Sequence, residues 1–185
     1  MAGRTPHDAF NAFIGPIERA ASCLGSVKVQ ISPGGSTAPN TPHGWSLNGM
    51  TGSTVNGWHL EANMSYEIIR DETPGRGPWR VHTLKYRYRL AITGNDVFRL
   101  HWHPSGRSPV TYPHLHAALE PKDRMPGSLD AHLPVGRMTF ENALRWAFEL
   151  GMPAARSDWS ERLDDAEASH LQHRSWSHDP AEADN

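Results

Sequence analysis

Apolar positions in the first 24 residues recur at helical spacing, with Phe10, Phe13, Ile14, Ile17 and Leu24 on one stripe. Thr5, Pro6 and Asp8 read as the N-cap, the first helical position and the acidic member of a capping box. Gly15-Pro16 interrupts the stripe and predicts a kink or a split into two short helices, and Gly25 predicts the stop. Val27, Val29 and Ile31 then alternate with Lys28, Gln30 and Ser32, which is strand chemistry. Residues 33–57, rich in Gly, Ser, Thr, Pro and Asn, read as one long loop.

Alternation returns at Trp58, with Leu60, Ala62, Met64, Tyr66 and Ile68 on one side of a strand. Residues 71–78 hold Pro74, Gly75, Gly77 and Pro78 and predict a turn. The clearest strand follows. Leu84, Tyr86, Tyr88, Leu90 and Ile92 share one face, and Lys85, Arg87 and Arg89 the other. The returning strand sets Phe98, Leu100 and Trp102 against Arg99, His101 and His103 in parity. Only a register that gathers the aromatic and aliphatic residues on one face buries them together. That argument selects a three-residue loop, Gly94-Asn95-Asp96, with a bulge, and it sets Arg89 opposite His101 and Arg87 opposite His103. Residues 111–116 read as a short extended segment. The stretch with Pro121, Pro126, Gly127 and Pro134 reads as a loop, 139–150 as a helix ending at Gly151, and Asp158 to about His170 as a weaker helix.

The pattern predicts an α+β fold: an antiparallel sheet of four to five strands, one face covered by the N-terminal helix and the helix at 139–150. Residues 1–155 form a single domain, and 156–185 a C-terminal helix and a disordered tail. Composition narrows this further. The chain has 185 residues, 37% hydrophobic, with 16 Gly and 15 Pro, which fits one modest core with long loops. A net charge of −2 gives no bulk attraction to nucleic acid or membrane, so any basic surface is local. No apolar run approaches the roughly 20 residues that cross a bilayer, so no membrane partner is expected. The beginning of the chain lacks the apolar core of a secretory signal, and the single cysteine, Cys23, reads as core. Together these point to the cytoplasm.

Twelve His are present, and four fall within sixteen residues as His101-Trp-His103 and His114-Leu-His116. Residues two apart on a strand project from one face, so each pair is a fork of imidazoles. Three readings stay open. The forks are ordinary solvated or hydrogen-bonded side chains. They supply a general acid and a general base near neutral pH. Or they meet to bind a divalent metal such as zinc, with His101, His103, His114, His116 and Glu120 as ligands. In the acid–base reading no cofactor is needed. His101, His103, His114, His116 and Arg87 are then the catalytic candidates, and Lys85, Arg89, Arg99 and Tyr112 the substrate-binding ones, because guanidinium forks suit phosphate. His132-Leu-Pro-Val-Gly-Arg137 reads as an ordinary lead-in to the next helix, with Arg137 reaching an anion as the alternative. His170, His173 and His178 read as a polar tail without a specific role.

Lys85-Tyr-Arg-Tyr-Arg, Phe98-Arg99 and Thr111-Tyr-Pro-His-Leu-His116 resemble the TumE-type toxins of bacterial type II toxin–antitoxin modules, over about residues 79–118. The resemblance implies a small α+β ribonuclease-like toxin acting on RNA and paired with a cognate antitoxin. Lys85, Tyr86, Tyr88, Arg99, Pro113, His114 and His116 are the positions that correspond. The family's Asp in the Phe-Arg strand is replaced by His101. The His101-Trp-His-Pro, Pro113-His-Leu-His and His132-Leu-Pro-x-Gly-Arg segments are also similar to a group of actinobacterial proteins of no assigned function, which is the closer likeness. The expectation from residues and resemblance together is RNA cleavage or RNA binding at a His/Arg cluster. A His-ligated metal protein and a non-catalytic interaction module are the alternatives.

Overall fold

Thr5 caps the first helix, α1 (Pro6–Ala21): its side chain accepts from the Asp8 N–H at 3.1 Å while the Asp8 carboxylate accepts from the Thr5 N–H. The computed structural model describes residues 3–32, 37–71, 77–105, 108–117 and 131–176. The expected break at Gly15-Pro16 does not occur. α1 runs through Pro16, whose missing N–H costs one intrahelical bond while its ring is buried among the stripe residues. A 3-10 turn, Ser22–Leu24, follows and ends at Gly25 (φ 87°), and Cys23 is buried.

Among the described residues nine strands form one sheet, more than the four to five expected. They are β1 (Val29–Ile31), β2 (His43–Leu47), β3 (Ser53–Val55), β4 (Trp58–Arg70), β5 (Trp79–Ile92), β6 (Asn95–Trp102), β7 (His114–Ala117), β8 (Leu133–Pro134) and β9 (Arg174–Trp176). The order across the sheet is β1-β2-β4-β5-β6-β7-β8, with β3 on β4 and β9 parallel to β5. Two of the extra strands lie inside the expected loop 33–57. β2 turns His43, Trp45 and Leu47 inward between Gly44 and Ser46. β3 folds back on β4 through Asn56-Gly57, both at positive φ (47° and 81°), the backbone that matches hairpin twist. The remaining helices are α2 (Phe140–Glu149), capped by Thr139, and α3 (Trp159–His173). No helix among the described residues is long and apolar enough to cross a membrane. The residues beyond Trp176, read as a disordered tail, lie outside those described.

The β5–β6 hairpin decides the site. Its loop is Thr93-Gly94, not Gly94-Asn95-Asp96, and both residues have positive φ (47° and 84°). A two-residue loop alone would mix the faces. One extra residue, Val97, lies between the pairs Ala91–Asp96 and Leu90–Phe98, and this bulge restores the parity that buries Phe98, Leu100 and Trp102 with Tyr86, Tyr88 and Leu90. The facial division is as expected, but the pairing is two residues away: Arg87 faces His101 and Arg89 faces Arg99. A second bulge, between the pairs Ser65–Lys85 and Tyr66–Thr83, leaves Leu84 unpaired. Leu84 is therefore only half-buried, where alternation alone assigned it to the core.

The three helices of the described residues lie on one side of the sheet. Phe13 of α1 meets Tyr66 at 5.2 Å between ring centres, Phe140 of α2 meets Trp45 at 5.2 Å, and α3 packs on α1 and α2. In this layer a buried polar chain ties the C-terminal segment to the core. Arg174 can only donate, so His170 Nε2 accepts from its Nη1 (3.3 Å) and His170 Nδ1–H donates to the Glu141 carboxylate (2.9 Å). His170 and Glu141 have no exposed surface. His170 is thus a core residue, not part of a polar tail. Trp146, Trp159 and Trp176 pack on Phe98, Phe148 and Trp102.

Candidate metal centre

The face of the sheet away from the helices carries the predicted site. β6 presents His101, with His103 just beyond its end, and β7 presents His114 and His116. The β6–β7 register pairs His101 with His114 and Arg99 with His116, so the two forks meet side by side. β8 adds a fifth imidazole. Its register pairs Leu133 with Leu115, and one further step puts His132 across from His116, with ring centres 4.5 Å apart. The likeness to the actinobacterial group named the His132 segment beside both forks, but no spacing or periodicity in the sequence joined His132 to them. Pairing across the β7–β8 connection carries no local pattern.

The imidazoles fall into two sets. His101, His103 and His114 each offer one ligand atom with all three within 4.8 Å of one another, and so do His114, His116 and His132. Nitrogens bound tetrahedrally at roughly 2.0–2.1 Å from one ion lie about 3.3 Å apart, so rotation of the rings by about an ångström closes either set. His114 belongs to both. It is only 1% exposed, and its Nδ1–H donates to the Tyr112 carbonyl oxygen at 3.0 Å. That bond fixes the tautomer and leaves a lone pair on Nε2, an arrangement typical of ligating histidines. His114 Nε2 and His101 Nε2 are both buried and, among the described residues, have no hydrogen-bond partner. Buried polar atoms without partners are few in folded proteins, and each asks for an explanation.

Electrostatics keep these two rings neutral. Burial pulls the His101 imidazole down to about 3, helped by His114, His116, Arg87 and His103. Burial also lowers His114, against the opposing effect of the Tyr112 carbonyl. A neutral imidazole is the form that ligates a metal.

The basic residues are not equivalent. Arg89 is held between Glu61 and Asp96, each at 2.6 Å, and Arg99 pairs with the other oxygen of Asp96. Their charge is compensated within the face, so neither stands as the expected phosphate cradle. Arg87, directly across from His101, and Lys85 are exposed. Tyr112 stands behind His114, ring centres 6.1 Å apart, and contributes through its carbonyl. Arg137 stacks between Trp102 and Trp176 at 4.9 and 5.1 Å from the ring centres, on the core side. Glu120, the expected carboxylate ligand, lies outside the described residues. In comparisons with known protein families, curated proteins and solved structures, the chain matches none.

Proposed function

We propose that this chain is a divalent-metal protein, its ion held by imidazoles of the open sheet face, and that the centre serves phosphoester hydrolysis with RNA as the substrate class. The observation that carries the reading is His114: a buried ring, anchored through Nδ1, with an unpartnered Nε2, and the one residue common to both His sets. All-nitrogen donors favour zinc and its borderline neighbours over magnesium or calcium. A divalent ion with three imidazole ligands keeps an open position and supplies Lewis acidity there. Because Nδ1 of His114 is occupied, this residue has one lone pair to give, so the two sets are alternatives and the expected stoichiometry is one ion per chain. Arg87 supports the phosphoester half of the proposal, since an exposed guanidinium beside the centre suits a phosphate oxygen. The resemblance of residues 79–118 to TumE-type toxins supports RNA.

Calorimetric titration of chelator-treated protein with zinc tests the metal. One ion bound per chain, lost in His114→Ala, is the expected result; no binding, with no metal found by elemental analysis, overturns it. A second reading, metal-independent RNA cleavage by paired imidazoles, draws on the side-by-side forks with Arg87 directly across from His101. RNA cleavage that persists in excess chelator selects this reading over the metal.

A further inference from the structure

Beyond the imidazoles the open face continues as rows of polar side chains running across the strands. Directly paired residues share a face, and the registers join: Gln30 pairs with Ser46, Ser46 with Asn63, Asn63 with Arg87, Arg87 with His101 and His101 with His114. The next row runs Gly44, Ser65, Lys85. Neighbouring strands lie roughly 4.8 Å apart, which puts Ser46 about 14 Å from His101 along its row.

The far half of these rows is hollow. A groove of about 480 Å³ is lined by Gln30, Ser32, Gly44, Ser46, Asn63 and Ser65, within the roughly 300–1,000 Å³ of small-ligand pockets. Glycine keeps it open: Gly44 leaves no side chain on the middle of β2. A Cβ on Gly49 (φ 64°) would run into the Gln30 carboxamide. Ile31 and Met50 also line the groove; hydroxyls and carboxamides that both donate and accept, set beside apolar side chains, fit the hydroxyls and edges of a nucleoside together with the face of its base. Between groove and imidazoles stand Lys85 and Arg87, exposed and, among the described residues, without an ion-pair partner.

We infer that this groove binds the nucleotide one removed from the scissile phosphodiester of an RNA strand laid across β2, β4 and β5, its phosphate on Lys85 and Arg87 and the following, scissile linkage at the imidazoles. The inference rests on the phosphoester reading of the centre and adds its substrate subsite. A single nucleoside monophosphate is too short to span from Ser46 to His101, so affinity depends on strand length.

The test is fluorescence anisotropy of labelled oligouridylates of one, two and six nucleotides with chelator-treated protein, zinc binding being measured separately. Two or more nucleotides are expected to bind about tenfold tighter than one. Ser46→Trp, which fills the groove, removes that gain. So does Gln30→Glu, at an exposed edge position that leaves the fold intact. Zinc binding is unchanged in both variants. Affinity independent of length, equal binding by both variants, or competition by heparin as effective as by RNA overturns the inference. If length dependence and variant effects hold while zinc fails to bind, the metal reading falls and the groove stands.

Discussion

His114 donates its Nδ1–H to the carbonyl oxygen of Tyr112, two residues back, at 3.0 Å. This one bond orients a buried ring, fixes its tautomer and leaves the Nε2 lone pair free on a ring whose centre lies 4.8 to 5.5 Å from those of His101, His103, His116 and His132. It also makes the two histidine sets unequal partners of a shared residue, with a clear mutational signature. His114→Ala should weaken zinc binding at least about 100-fold, because it breaks both sets. His103→Ala and His132→Ala should each cost less, because one set survives. Competition with a chromophoric chelator measures all three, and equal losses in the three variants would contradict the shared-ligand arrangement.

Asp96 holds both Arg89 and Arg99. Asp96→Asn should lower stability by about 1 kcal/mol and, by releasing Arg99 while Arg89 stays on Glu61, raise affinity for polyanions. Urea unfolding and salt-dependent anisotropy with an oligonucleotide check the two parts. Stability within error of the parent would show that the network is only a surface arrangement.

Thr93 occupies the first position of the β5–β6 turn at φ 47°, a conformation that costs a β-branched residue roughly 1–2 kcal/mol. Asn tolerates it and forms the preferred Asn-Gly turn with Gly94. Thr93→Asn should therefore stabilise by about 1 kcal/mol, a rise of roughly 2–4 °C in melting temperature for a chain of this size. A fall in melting temperature would show that the hairpin uses a different turn.

The Arg174–His170–Glu141 chain predicts acid sensitivity. Burial lowers the His170 imidazole below its ordinary 6.5, against the pull of Glu141 and with the help of Arg174. Burial opposes ionisation of Glu141, yet His170 and Arg174 hold it below its ordinary 4.5. Tyr88, Tyr86 and Glu167 are the other titratable groups facing this chain. In both residues the folded pKa is depressed, so the unfolded chain binds more protons and stability rises with pH. The His170 part is present above 6.5 and is lost as pH falls below it; the Glu141 part follows below 4.5. Urea midpoints should drop between about pH 7.5 and 5.5, and less steeply in His170→Gln. Glu141→Ala, which leaves a buried cation unpaired, should cost about 3–5 kcal/mol.

Local chemistry in the sequence was enough for the capping box at Thr5, the stop at Gly25, the inward parity of β4 and β6 and the two histidine forks, because each depends on residues a few positions apart. Burial of one face even required a bulge in the β5–β6 hairpin. Its place was not legible: Thr93-Gly94 and Gly94-Asn95-Asp96 both satisfy the pattern, and the choice moved every cross-strand partner by two. β2 was hidden because His43-Gly-Trp-Ser-Leu47 is short and lies in loop-like composition, and the Asn56-Gly57 turn between β3 and β4 was absorbed into the same expected loop. Long-range pairing decided the rest. It brought His132 beside His116, enclosed His170 and Glu141, and compensated Arg89 and Arg99. The sequence by itself determined which residues share a face, since a period of two or 3.6 is a local property. Only the tertiary structure decided which faces meet, because contacts between distant segments leave no periodicity in either one.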